Sequence, residues 1–251
     1  MRINCLNYNK AFTLIELAIV LTIIGLIISG VMAGQKLVEV ARIRAQIAQM
    51  NEFKIGFLSF RNQYDAWPGD MANASEFWST AISGNGNFMF DNADGNPTFD
   101  GNIGNEQLQF FAQLSYAGLI KNSYNGSTTF GVGIPKVSIN DNFGLLVGGA
   151  YHLNGSVFGQ GTHSCSRMSL EVKPYLGLTV SQIIGIPGAG YNDSYGVLSG
   201  AQAGAIDTKI DDGLYCYGNF MSYDGSGNCM SAGSYYAAGN SPGCHSYYNM
   251  Q

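Results

Sequence analysis

The sequence predicts an α+β chain in which one long N-terminal helix packs on an antiparallel β-sheet head. Three observations predict this fold class. Residues 17–35 contain no charged side chain, apolar residues then recur at helical spacing as far as residue 60, and short aromatic segments separated by glycine follow. We therefore expect a helix with a transmembrane half and an amphipathic half, followed by a head of short strands.

The first eleven residues are short and polar, and they carry Arg2 and Lys10 without any acidic residue. The uncharged run after them reaches about 28 Å as a helix, enough to cross most of a bilayer core. Positive residues favour the cytoplasmic side, so the C-terminus is expected to project outward. A secretory signal peptide has its small cleavage residue after the apolar run, whereas Ala11 precedes it. Cleavage at Ala11 would therefore leave the apolar segment on the mature protein.

Glu16 is the one acidic residue inside this apolar segment. A lone carboxylate near the edge of the hydrocarbon costs several kcal/mol unless it is neutralised or paired. Two explanations are open from the residues alone. Either the carboxylate snorkels to the membrane interface, or it pairs with a cation supplied by another chain.

The segment KAFTLIELAIVLTIIGLI resembles the N-terminal signature of type IV prepilins and type II secretion pseudopilins. The resemblance implies that a membrane prepilin peptidase cuts between Ala11 and Phe12 and N-methylates the new amino terminus of Phe12. It also implies that Glu16 pairs with the α-amino group of a neighbouring subunit during assembly, and two buried opposite charges offset each other only when they meet. Two departures are visible: Ala11 stands where Gly is usual, and the apolar helix lacks the proline of many major pilins.

The chain accordingly divides into four predicted parts. These are a leader at 1–11, a transmembrane and assembly helix at 12–35, an amphipathic continuation at 36–62 and a globular pilin-like head at 63–251. The amphipathic part carries one apolar stripe at 3–4 spacing, formed by Val40, Ile43, Ile47, Met50, Phe53, Phe57 and Phe60. Pro68 and Gly69 fit the centre of a type II turn, which would follow the end of the helix.

The head is expected to combine short helices with glycine-bounded strands. ASEFWSTAI predicts a short helix, and EQLQFFAQLSYAGLI predicts a second one with Asn105 as N-cap and Gly118 as its stop. Ser199 and Gln202 form a capping-box pattern that opens a helix through about Asp212, stopped by Gly213. The predicted strands are TTFGVG, KVSI, FGLLVGGAY and SVFGQ, followed by a hairpin around Asp224 and Gly225.

Removal of the leader would leave four of the five cysteines, namely Cys165, Cys216, Cys229 and Cys244 without Cys5. There is no CxxC pattern and the histidines lack finger-like spacing, so disulfides in an oxidising compartment are favoured over zinc. Four cysteines allow three pairings. The predicted hairpin favours Cys216–Cys229, which leaves Cys165–Cys244.

Asp207, Asp211 and Asp212 form the candidate metal site. Asp207 and Asp211 are four residues apart on one helix face at its negative end, an arrangement that is mildly destabilising. Lys209, a distant arginine or a calcium ion would offset these charges. Some pseudopilins bind calcium through C-terminal aspartates at a different spacing; no other cofactor is expected.

Charge is distributed unevenly along the chain. Residues 36–61 carry five basic and two acidic side chains, whereas five basic and fourteen acidic ones follow from residue 62 onward. A basic helical segment and an acidic head favour attraction between copies of the chain. The alternative explanation is that the excess charge only keeps the head soluble. The head has no basic stripe, so a nucleic-acid partner is not expected.

No nucleophile elbow, zinc-protease, P-loop or dinucleotide motif occurs, so the chain is not expected to be an enzyme. The prediction is a structural subunit of a type IV pilus or a type II secretion pseudopilus. Its expected partners are other pilin-like subunits, the prepilin peptidase, the assembly machinery and the inner membrane. It would sit in the inner membrane with a periplasmic head before assembly, then in a surface pilus or a periplasmic pseudopilus. The alternatives are a minor pilin or adhesin, whose head binds a surface, DNA or sugar, and a signal-anchored periplasmic enzyme.

Overall fold

The computed structural model describes residues 13–90, 106–148, 175–179, 197–215, 218–224, 229–231, 234–235 and 243–250. The chain forms two compact units, Met1–Arg42 and Ile43–Gln251. Helices and strands both occur in the second unit, and its main sheet is antiparallel. Together with the long N-terminal helix, this confirms the predicted α+β fold class.

The long helix, α1, spans Leu14–Tyr64. No proline interrupts it, and the predicted stripe explains most of the face that its second half buries in the head. The buried residues are Ile43, Gln46, Met50, Phe53, Gly56, Phe57 and Phe60. Val40 stays exposed, whereas Gly56 is buried because its missing side chain lets Ile120 approach to 3.2 Å of an ideal Cβ position.

A tight turn follows α1, as the sequence predicts. The N–H of Asp70 donates to the carbonyl of Trp67 at 3.2 Å, and Gly69 has a φ of +93°. A type II turn needs a positive φ at this third position, which glycine adopts without strain. The short helix α2 then spans Ala74–Phe77.

Helix α3 spans Glu106–Tyr116 and ends before Gly118, whose φ is +68°. This confirms Gly118 as the stop, whereas the predicted N-cap Asn105 lies outside the described residues. Helix α4 spans Gly200–Ile210. Ser199 and Gln202 make both hydrogen bonds of the predicted capping box, so the start of α4 is confirmed as well.

Four strands form the main sheet, in the spatial order β1-β2-β6-β3 with antiparallel neighbours. Their bounds are β1 Gly144–Gly148, β2 Tyr175–Thr179, β3 Phe220–Asp224 and β6 Cys244–Asn249, while β4 Met230–Ser231 and β5 Ser234–Tyr235 form a separate ribbon. Strand β6 lies inside the sheet and is also joined to α1. The hydroxyl of Tyr248 donates to Asn51 Oδ1 at 2.8 Å, and Lys54 Nζ donates to the carbonyl of Asn249 at 3.2 Å.

Aromatic rings fill the core between α1 and α3. Phe53 meets Phe111 edge to face with 5.1 Å between ring centroids, and Phe57 meets Trp67 in the same way at 5.8 Å. Offset and edge-to-face pairs of this kind add to the stabilisation from burial. The amphipathic half of α1 therefore contributes aromatic rings to the hydrophobic core of the head.

The strands predicted at TTFGVG and KVSI are wrong. The carbonyl of Thr129 accepts hydrogen bonds from the N–H groups of Val132, Gly133 and Ile134, which closes a turn and leaves no extended run. Only single bridges occur here, between Phe130 and Ile134 and between Lys136 and Gly144. FGLLVGGAY contains β1, and SVFGQ lies outside the described residues.

The predicted hairpin around Asp224 and Gly225 is also wrong, because β3 pairs with β6 and β4 pairs with β5. This pairing changes the disulfide. Asp224, the last residue of β3, lies opposite Cys244 in the sheet. Cys229 follows Asp224 by only five residues in the sequence, so it is close enough along the chain to reach Cys244. Cys229 and Cys244 form a disulfide with 4.8 Å between their Cα atoms. The predicted pairs Cys216–Cys229 and Cys165–Cys244 are therefore wrong; Cys165 and Cys216 themselves lie outside the described residues.

Candidate functional site

The start of α1 is the first candidate site, and Thr13 organises it. The hydroxyl oxygen of Thr13 accepts from the N–H of Glu16 at 3.3 Å. In return, Glu16 Oε2 accepts from the N–H of Thr13 at 2.8 Å and from its hydroxyl at 2.7 Å. These reciprocal bonds are those of a capping box. The pattern T-x-x-E at 13–16 is the sequence signal for this cap, which was not among the predicted features.

Both Thr13 bonds go to the same oxygen of the Glu16 carboxylate. Among the residues that the structure describes, no donor contacts its other oxygen, Oε1. A carboxylate in the first turn of a helix also interacts favourably with the helix dipole. Glu16 is thus held at the helix start with one oxygen left for a further donor. Ala11 and Phe12, the predicted cleavage and methylation positions, lie outside the described residues.

The apolar run after Glu16 is exposed along its length. Helix α1 is long and apolar enough to cross a membrane, and none of its most apolar 18-residue window is buried in the protein. Side chains such as Leu17, Leu21 and Leu26 are between 56% and 74% exposed within the described chain. A surface of this kind requires lipid or other apolar helices around it.

The acidic cluster at the end of α4 is the second candidate site. One carboxylate oxygen from each of Asp207, Asp211 and Asp212 lies within 4.8 Å of the others. Each side chain also accepts hydrogen bonds from the protein. Asp207 accepts from Gly213 N–H at 3.3 Å, Asp212 accepts from Leu214 N–H at 2.8 Å, and Asp211 accepts from the N–H groups of Asn219 and Phe220.

Tyr235 completes this cluster from strand β5. Its hydroxyl lies 2.9 Å from Asp207 Oδ2 and 3.1 Å from Ser222 Oγ, and Ser222 Oγ lies 2.8 Å from Ser246 Oγ. Burial raises the pKa of Asp207 to about 6, and the charges of Asp212 and Asp211 add to the increase. The hydroxyl of Tyr235 opposes it by favouring the carboxylate.

The three aspartates therefore come together as the sequence predicts, but protein donors already contact all of them. Calcium binding by these carboxylates stays a prediction. Calcium titration of the mature chain, with Asp212→Asn as the variant, would measure it. A rise in melting temperature that is lost in the variant is the expected sign of a bound ion.

Comparison with known proteins matches residues 6–32 to the family described as the prokaryotic N-terminal methylation motif. No curated protein and no solved structure matches the chain. The motif is the prepilin-type signature of type IV pilins and pseudopilins, and it indicates a structural subunit. It implies processing by prepilin peptidase and assembly with other pilin subunits, and together with α1 it fits membrane anchoring before assembly.

Proposed function

We propose that the chain is a structural subunit of a type IV pilus or a type II secretion pseudopilus, assembled through its N-terminal helix. The observation that carries the proposal is the carboxylate of Glu16, held by Thr13 at the start of an exposed apolar helix. The match to the methylation motif covers the same residues.

The chemistry begins with cleavage of the leader. Prepilin peptidase cuts the bond between Ala11 and Phe12, and N-methylation then modifies the freed amine of Phe12. The methylated amine keeps its positive charge. Glu16 Oε2 is occupied by its own Thr13, so Oε1 is the oxygen that accepts from the amine of a neighbouring subunit. Pairing offsets the cost of placing both charges in an apolar environment.

The apolar part of α1 anchors the subunit in the membrane before assembly and packs on other subunits during assembly. Before assembly, lipid covers the exposed apolar side chains of α1, with Arg2 and Lys10 on the cytoplasmic side and the head in the periplasm. During assembly the same side chains exchange lipid for the helices of other subunits. The disulfide between Cys229 and Cys244 supports a head that folds in an oxidising compartment. The final location is a surface pilus or a periplasmic pseudopilus.

Mass spectrometry of the mature polypeptide is the first experiment. We expect a chain that begins at N-methylated Phe12 and retains the apolar segment. A mature chain that begins at Met1, or that has lost the whole apolar segment, would contradict the proposal.

The variant Glu16→Ala tests the docking step separately. Cleavage should be unchanged, whereas the amount of the chain in sheared filaments should fall at least about tenfold, the loss expected for a charge-assisted contact. The control is Asp141→Ala, since Asp141 is an exposed acid on the head, away from the start of α1. Normal incorporation of Glu16→Ala would exclude the pairing model. The abundance of the chain in the filaments also distinguishes a major from a minor subunit.

A further inference from the structure

A cluster of four aromatic side chains lies at the surface of the head where α1, α2 and α3 meet. We call Tyr64, Phe77, Trp78 and Tyr116 the aromatic platform. Ring centroids are 5.5 Å apart for Tyr64 and Phe77, 5.4 Å for Tyr64 and Trp78, and 6.3 Å for Trp78 and Tyr116. Three separate segments of the chain therefore contribute rings to one surface.

The aromatic platform packs on the core of the head on one side and is partly exposed on the other. The ring of Phe60, which is fully buried, lies 4.5 Å from Tyr64 and 6.2 Å from Trp78 between centroids. Phe77 is 55% exposed although its side chain is entirely apolar. Exposed apolar rings that are held rigidly are typical of protein interaction surfaces, because little side-chain entropy is lost when they are covered.

The rings of the aromatic platform are inclined to one another. Tyr64 stands nearly perpendicular to Phe77, at 83°, and is inclined by 67° to Trp78. Phe77 and Trp78 are inclined by 41°, and Trp78 and Tyr116 by 36°, so the four rings do not form one flat face. The platform's mixture of ring edges and ring faces suits branched aliphatic side chains and cations.

Charge around the aromatic platform favours a basic partner. The exposed acids Asp65 and Glu76 lie directly beside it in the sequence, one after Tyr64 and the other before Phe77. Arg61, one turn earlier on α1, is the basic residue nearest to them in the chain. A partner with aliphatic side chains and positive charges would satisfy both the rings and the acids.

The chain itself contains a segment of this chemistry, at residues 36–44. It exposes Leu37, Val38 and Val40, and it carries Lys36, Arg42 and Arg44 against the single acid Glu39. We call it the basic segment. The uncharged residues 17–35 before it supply apolar surface but no cation.

We propose that the aromatic platform of one copy binds the basic segment of a second copy when the subunits assemble. Arg44 cannot contact the aromatic platform of its own copy, because the helix between Arg44 and Tyr64 is about 30 Å long at ~1.5 Å per residue. This inference rests on the proposed function, which brings copies of the chain side by side. It adds a contact made by the head to the contact made by Glu16.

Photo-crosslinking tests the contact directly. The photoreactive amino acid p-benzoylphenylalanine replaces Phe77 in the full chain, sheared filaments are irradiated, and the products are digested and analysed by mass spectrometry. We expect a dimer whose linked peptides join position 77 to the basic segment. The control places the same amino acid at Val132, which is 48% exposed elsewhere on the head, and should give no such link.

A link from position 77 to another segment, to a different molecule or to nothing would overturn the inference while leaving the proposed function standing. Absence of the wild-type chain from filaments would overturn the proposed function, and this inference with it. These two failures are distinguishable because the first requires filaments that contain the chain.

Two variants test whether the contact contributes to assembly. Phe77→Ser and Glu76→Lys should be processed normally and reduce incorporation about fivefold, and Leu214→Ser, at a side chain 49% exposed, should not. The melting temperature of each variant shows that the head still folds. Adding the charge reversal Arg42→Glu in the basic segment should restore part of the incorporation that Glu76→Lys loses. Normal incorporation of a folded Phe77→Ser variant would overturn the inference.

Discussion

Thr13 donates two hydrogen bonds to the same carboxylate oxygen of Glu16, one from its backbone N–H at 2.8 Å and one from its hydroxyl at 2.7 Å. The acid that the proposed docking step requires is therefore also the acid that caps the helix. Because the cap uses Oε2 and the docking step uses Oε1, the cap positions the carboxylate and leaves Oε1 able to accept a hydrogen bond. The first turn of α1 is a prepared acceptor for a positive charge.

This relationship predicts the effect of changing Thr13. Thr13→Val loses the two bonds of the hydroxyl, at a cost of about 1 kcal/mol for a helix cap, and should reduce incorporation severalfold, less than Glu16→Ala does. Thr13→Ser keeps both bonds and should behave as wild type. The control is Thr22→Val, whose hydroxyl contacts only carbonyls of its own helix, at Ala18 and Ile19. Equal amounts of wild type and Thr13→Val in sheared filaments would refute the role of the cap.

Gly69 should be intolerant of a side chain. A Cβ there would collide with the carbonyl oxygen of Glu106 and lie 2.9 Å from the N–H nitrogen of Phe110. We expect Gly69→Ala to lower the free energy of unfolding by roughly 3 kcal/mol or more. Gly118→Ala shares the positive φ but meets nothing within 4 Å, so its cost should be about 1 kcal/mol. Urea unfolding measures both variants, and similar losses would contradict the predicted collision.

Asp207 should make the head more stable in acid. Its pKa is about 6 in the folded chain, above the ordinary value of 3.8, because burial disfavours the carboxylate. The folded state then holds the proton more tightly than the unfolded state does. The stabilisation is complete below pH 3.8 and is lost as the pH rises through 6. The full shift corresponds to ~3 kcal/mol, and solvent screening reduces it to on the order of 2 kcal/mol.

The variant Asp207→Asn should lack the part of this pH dependence between about 4 and 6 that Asp207 contributes, whereas Asp70, whose pKa burial also raises, keeps its own part. Asp141→Asn, at an exposed acid elsewhere on the head, is the control and should retain the contribution of Asp207. Thermal unfolding at each pH, in the presence of a chelator, is the measurement. A wild-type head whose stability rises with pH across this window would show that the direction is wrong.

The disulfide should appear as one defined peptide pair. Digestion without reduction should yield a linked peptide that contains Cys229 and Cys244, which are 15 residues apart. For a loop of that length, Cys244→Ser should cost about 3 kcal/mol of stability. Cys5→Ser lies in the segment that the proposed cleavage after Ala11 removes, so it should leave the mature chain unchanged. A peptide that links Cys216 to Cys229 would contradict the structure.

Local patterns in the sequence predicted the helices well. The 3–4 spacing from Ile43 to Phe60 identified the buried face of α1, since a helix places such residues on one side whatever surrounds it. The turn at Pro68 and Gly69 and the capping box at Ser199 were equally visible. In each case the residues that form the element are within a few positions of one another.

Strand pairing was not predictable in this way. The segment before β4 looked like half of a hairpin, because glycine and aspartate there suit a tight turn. The structure pairs β3 with β6 instead, across about twenty residues, and this choice assigns Cys229 to Cys244. The approach of Tyr235 to Asp207 likewise depends on packing between distant segments.

Local sequence features were enough to predict the start of the chain: the charge of the first eleven residues, the uncharged helix and the acid at position 16 all lie within about thirty-five residues. The pairing of the cysteines, the contact of Tyr235 with the buried Asp207 and the rings of the aromatic platform became visible only in the folded chain. The physical reason is the range of the interactions. Helix periodicity and capping act between near neighbours, whereas strand register and side-chain packing are settled by the burial of the whole chain.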